Sequence, residues 1–149
     1  MSMASFPIRP LAILNFFKLP LFVLALHVVL AGFLQVYEFA PWFDMPMHYL
    51  GGLSVTYSLW LLLNYFQEEK VINQLGLPIT ILFSFSLLIT VAVFWEFGEF
   101  ALDRLLGINL QVSLPNTMRD LAAGMIGAVT VLVYFSWRFR SSTSGRRLL

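Results

Sequence analysis

The sequence predicts an all-α membrane protein, a four-transmembrane-helix bundle with both termini cytoplasmic, and three observations predict it. Of the 149 residues, 59% are hydrophobic and only 11% charged, too few polar groups to cover the surface of a water-soluble domain. The apolar residues fall into four blocks, residues 19–39, 47–66, 78–100 and 118–137. Each is about 20 residues long, enough at about 1.5 Å per residue to cross a hydrocarbon core of about 30 Å. The basic residues gather at one set of block ends, which fixes the orientation.

In lipid every backbone N–H and C=O must be satisfied within the segment, so blocks of this length read as helices. The first block exceeds the apolar region of a secretory signal and shows no small-x-small cleavage site, so it is expected to remain as a span. Arg9, Lys18, Lys70, Arg138, Arg140, Arg146 and Arg147 flank the inner ends, and only Arg104 and Arg119 lie at the outer ones. The termini and Lys70 are therefore expected in the cytoplasm, with Asp44 and Asn109 on the other side. Tyr37, Trp42, Tyr49 and Trp95 are expected in the outer aromatic belt, and Tyr65, Tyr134 and Trp137 in the inner one. Residues 1–137 then form one transmembrane domain, and residues 138–149 a basic cytoplasmic tail whose "RSSTSGRR" reads as disordered. There is no cysteine, hence no disulfide frame, thiol nucleophile or cysteine metal site.

With four spans the two outer loops share a side, and nearly every intramembrane charge converges there. Glu38 closes the first span, Asp44 and His48 open the second, Glu96, Glu99 and Asp103 close the third, and Asn116, Arg119 and Asp120 open the fourth. His27 is the exception, about 16 Å from Glu38 along a continuous helix. Asp44 and His48 are spaced i, i+4, and Glu96, Glu99 and Asp103 i, i+3, i+7, so each set makes one stripe. The first stripe continues through Gly51, Gly52 and Thr56, and Asp120 is followed on its face by Gly124, Gly127 and Ala128. Membrane helices approach closely through small residues, so these stripes are expected on packed faces around one outer polar pocket.

Each feature also has a structural reading. Asp44 before Met45-Pro46 suits an N-cap, as does Asn116 in "NTMRD". Asp103 beside Arg104 suits an exposed ion pair, His27 a packing residue, and Glu38 contact with headgroup water. Glu96 and Glu99 fit less easily, because a charge within a span is costly unless paired or wetted. Either a cation lies between them, or one is protonated, or Arg104 and Arg119 neutralise them.

"FDMPMHYLGG" (43–52), "WEFGEF" (95–100) and "LPNTMRDLAAGMIGA" (114–128) resemble the D-x-x-x-H, W-E-x-x-E and D-T-x-x-D-L-x-x-D-x-x-G-A blocks of a largely uncharacterised family of small bacterial inner-membrane proteins. The VanZ-like proteins, some linked to glycopeptide resistance, show a looser version. The resemblance covers about residues 40–130, in the same order and at the same helix ends. It implies a polar signature of Asp44, His48, Glu96, Glu99, Thr117 and Asp120. Two positions depart: Asn116 where the family often has an acid, and Gly124 where it often has Asp or Asn. Both reduce the acidic count and argue against a multi-metal site.

Between the third and fourth spans, "GINLQVSLP" alternates apolar and polar residues, which suits an extended segment. Gly107 to Pro115 is a candidate lid above the carboxylates, or an ordinary amphipathic connector.

Three functions fit. In the first, the outer pocket binds a divalent cation or the polar head of an amphiphilic or lipid-linked ligand, with hydrolysis among the chemistries allowed. His48, Glu96, Glu99 and Asp120 are then the candidate ligands, with His48 and Glu96 the candidate catalytic residues. Oxygen-rich ligands with one histidine favour Mg, Mn, Ca or Fe over tetrahedral zinc. No H-E-x-x-H, G-x-S-x-G or P-loop pattern is present, and no nucleic-acid partner is expected. In the second, the chain is an accessory subunit of a larger membrane complex and the carboxylates are structural. The third, a transporter or proton relay, would need ionisable groups through the membrane, and only His27 lies at depth.

Overall fold

The computed structural model describes residues 10–107 and 110–145, and all regular structure among them is helical. A short α1 (Pro10–Phe16) leads into α2 (Lys18–Val28), which runs into a π-helical turn at Val29–Phe33. After α3 (Val36–Phe39) and a 3-10 turn at Pro41–Phe43 come three long helices, α4 (Asp44–Glu68), α5 (Leu77–Leu106) and α6 (Leu114–Gly145). Leu77–Leu106 and Leu114–Ser141 are long and apolar enough to cross a membrane, and the apolar Lys18–Phe33 is a shorter third stretch. Helix α4 has 25 residues, but Asp44, His48, Ser54, Thr56, Ser58, Asn64 and Gln67 are spread along it.

The first block is not the straight helix that the sequence suggests. The π turn closes with the Leu34 N–H donating to the Val29 carbonyl at 3.0 Å. Gln35 then takes a left-handed conformation, φ 50°, which no helix can continue. The left-handed position itself is not a glycine, although Gly32 lies within the π turn. The effect of the break is to fold Val36–Phe39 back, so that the Tyr37 hydroxyl lies 3.0 Å from His27 Nδ1. His27 is thereby brought within reach of the groups at the helix ends.

The core lies between α4 and α6, which run in the same direction and pack more extensively than any other pair. A Cβ on Gly52 would collide with the backbone of Gly124, and one on Gly127 with the Tyr49 carbonyl. These glycines let the two backbones touch, as small residues do between membrane helices. Further along, Trp60 stacks on Phe135 with ring centroids 4.8 Å apart. Gly51, expected on the same stripe, has open space where its Cβ would be, because one residue on a helix turns by about 100°.

Two expectations at the ends of α6 need correction. The polar tail does not begin as a disordered segment, since α6 continues to Gly145 and the Ser141 hydroxyl bonds the Trp137 carbonyl. Residues 146–149 lie outside the described residues. At the other end Asn116 is not the cap. Its own N–H donates to Ser113 Oγ at 3.4 Å, so Ser113 caps a helix with Pro115 in its first turn.

Candidate functional site

Helix α4 presents Asp44 and His48 one turn apart, α5 presents Glu96 and Glu99, and α6 presents Asn116 and Asp120. Ligand-type atoms of Asp44, His48 and Asp120 all lie within 4.8 Å of one another, and so do those of His48, Glu96 and Glu99. His48 belongs to both sets. Glu96 is 5% exposed and Asp120 2%, so these carboxylates are removed from bulk water.

Most of these groups are held by a neighbour. His48 Nε2 lies 3.4 Å from Asp44 Oδ1, a charge contact too poorly directed for a hydrogen bond, and buried Nε2 has no hydrogen-bond partner. Asp44 does not cap α4, since the helix already begins at Asp44 and no side chain caps it; the other Asp44 oxygen accepts from Asn116 Nδ2 at 3.5 Å. The same Asn116 amide also donates to Asp120. The Trp95 indole N–H donates to Glu99 at 2.8 Å, and the Gln111 amide to Glu96 at 3.4 Å. Thr117 is buried one turn before Asp120, on the same helix.

The arginines do not neutralise the glutamates. Arg104 lies over the Phe100 ring at 5.2 Å, and Arg119 Nε donates to the Pro115 carbonyl at 3.3 Å. Among the described residues the one ion pair is His48 with Asp44. Asp103 is not paired with Arg104 either. Its two oxygens accept the backbone N–H groups of Leu110 and Gln111 at 2.7 and 2.8 Å. The connector is therefore tied to the end of α5 and forms no strand at residues 110–113, while Ile108 and Asn109 lie outside the described residues. Gly107, at φ 67°, ends α5. Glu38 is exposed.

Three contributors were not singled out from the sequence as parts of this site. The His27 ring centroid lies 6.0 Å from that of His48 and 5.6 Å from that of Trp95, which follows from the break at Gln35. Trp95, expected in the aromatic belt, orients Glu99, and the i, i+4 spacing could have indicated it. Gln111 reaches Glu96 across 15 positions, and no local pattern signals that contact. Below the polar groups lies a cavity of about 390 Å³, with His27, His48, Glu96 and Asp120 at one end and, apart from Ser54, mainly apolar side chains along the rest.

A family model described as "Predicted membrane protein (DUF2238)" matches residues 4–141. An uncharacterized protein of Thermotoga maritima is 33% identical over 125 residues, covering 78% of this chain. The match spans 63% of that relative's own length. No solved structure matches.

Proposed function

The chain belongs to the DUF2238 family of predicted membrane proteins, and from that premise we propose that its His/carboxylate cluster binds one divalent cation at the outer face of a bacterial inner membrane. In this reading α2, α4, α5 and α6 are four spans of a single domain, with both termini and Lys70 cytoplasmic. Single-cysteine labelling on the cysteine-free background tests the topology. Trp42→Cys is expected to react with an impermeant reagent outside the cell, and Lys70→Cys only after permeabilisation. Outside labelling of position 70 would reverse the orientation.

One observation carries the cation reading: His48, whose buried Nε2 makes no hydrogen bond and only a 3.4 Å charge contact with Asp44, belongs to two sets of converging ligand-type atoms, and neither arginine is paired with Glu96 or Glu99. Uncompensated carboxylates at this spacing repel, and burial makes their charge costlier. A divalent ion removes both costs. His48, Glu96 and Glu99 would be its main ligands, with Asp120 completing the set from α6. Asp44, Gln111 and Trp95 would orient them, as neighbours of metal ligands commonly do. The donor set is oxygen-rich with one nitrogen, which suits Mg, Mn, Ca or Fe. Asn116 donates where an acid would repel, which suits a single ion.

A ligand that binds only the folded state stabilises it by about 2.7 kcal/mol at a hundredfold excess over its Kd. Thermal unfolding in detergent, after chelation and re-addition of Mg, Mn or Ca, should therefore show a rise of several degrees with at least one cation. An unchanged midpoint with all of them would remove the reading.

A further inference from the structure

The cavity beneath the cluster has two dissimilar ends in one space. Its mouth is His27, His48, Glu96 and Asp120, and its depth is walled by Leu21 and Leu24 of α2 and Leu88 and Ala92 of α5, over Gly51 and Val55 of α4. Helix α2 packs on α4, and α5 on α4 and α6, whereas α2 and α5 make at most marginal contact with each other. The cavity is thus the gap between α2 and α5. Exposed apolar side chains flank it, with Leu21 56% and Val91 45% exposed. Water is a poor filler, because a buried water needs two or more polar partners and the walls below the mouth offer only Ser54, whose hydroxyl already donates to the Gly51 carbonyl.

We propose that this cavity seats one hydrocarbon chain of an amphiphile with an anionic head, entering sideways between α2 and α5, with its head on the cation held by His48, Glu96 and Glu99. The head depends on the cation reading; the seat for the chain depends on the cavity. Its volume lies near the lower end of the ligand-pocket range of about 300–1,000 Å³, which favours one chain over a two-chain lipid. Moving a chain from lipid to an apolar cavity gains little, because the two surroundings are equally apolar. The head therefore supplies the affinity, and the walls select for a single chain.

The test uses full-length protein in detergent with Trp42, Trp60 and Trp137 replaced by Phe, leaving Trp95 as the reporter on the cavity wall. A chain-brominated lysophosphatidic acid is titrated with Mg present. Saturable quenching of Trp95 is expected, weakened at least tenfold by chelator and at least tenfold by Gly51→Leu and by Val55→Phe. Gly51→Leu fills the cavity from a position where a Cβ meets no atom within 4 Å, so it should fold. Both filling variants should keep their stabilisation by cation. Quenching that never saturates, or is equally tight in both filling variants, overturns the proposed seat. If cation stabilises the parent but quenching does not saturate, the chain proposal fails and the cation reading stands. Saturable binding that ignores chelator, or that prefers a brominated alkylammonium, overturns the anionic head and the cation reading together.

Discussion

Glu96→Gln is expected to make the cation-free protein more stable and to erase the stabilisation that a divalent cation gives the parent. In the absence of a cation, Glu96 and Glu99 lie close together on one helix stripe, each within 4.8 Å of His48, and Glu96 is only 5% exposed. At an effective dielectric of about 20, removing one of two like charges at such a separation relieves on the order of 1–3 kcal/mol. The amide keeps the shape and can still accept from Gln111. With cation present the advantage over the parent is offset, because a main ligand has gone and the roughly 2.7 kcal/mol available to the parent at a hundredfold excess disappears. Glu99→Gln should behave alike, less the cost of weakening the bond from Trp95. If a buried cationic side chain neutralised the glutamates, either change would leave that charge underpaired and destabilise the protein with or without metal. Melting curves of both variants with chelator and with cation separate the two cases.

A larger loss is expected from Gly127→Leu and Gly52→Leu. At both positions even a Cβ meets backbone of the facing helix, the Tyr49 carbonyl and Gly124 respectively. Backbone cannot rotate away as a side chain can, so α4 and α6 must separate. Overpacking a core typically costs about 1–3 kcal/mol, and loss of the tightest interface in the bundle should exceed about 3 kcal/mol, seen as loss of monodisperse protein in detergent. The controls are Gly51→Ala and Gly98→Ala, where a Cβ meets nothing within 4 Å. These should be neutral, or stabilising by up to about 1 kcal/mol through helix propensity. Equal behaviour of the two pairs would show that α4 and α6 do not pack this way.

The pattern of helices and the groups on their stripes were legible because both follow from local periodicity. Asp44 with His48, and Glu96 with Glu99, needed only the helical turn, and Gly52, Gly124 and Gly127 announced a close interface by their size. The Ser113 cap carries a local signal, a serine two residues before a proline, which competes with that of Asn116 three residues on. What the sequence concealed was tertiary or conformational. The left-handed position, Gln35, is not a glycine, so His27 read as a mid-depth residue instead of a neighbour of His48. The fate of Asp103 depended on backbone N–H groups of the connector, which carry no sequence signal. The cavity exists because α2 and α5 stand apart, a property of packing and not of any one residue.

The most direct measurement is the metal content of protein extracted and purified without chelator, set beside His48→Ala prepared in parallel. His48 belongs to both sets of converging ligand atoms, so its removal should empty the site while leaving the α4–α6 glycine interface intact. Elemental analysis by mass spectrometry should find about one divalent cation per chain in the parent, chelatable and replaceable, and almost none in the variant. A parent without bound cation that also takes up none on addition of Mg, Mn, Ca or Fe, or a His48→Ala variant that retains the parent's full complement, would contradict the account.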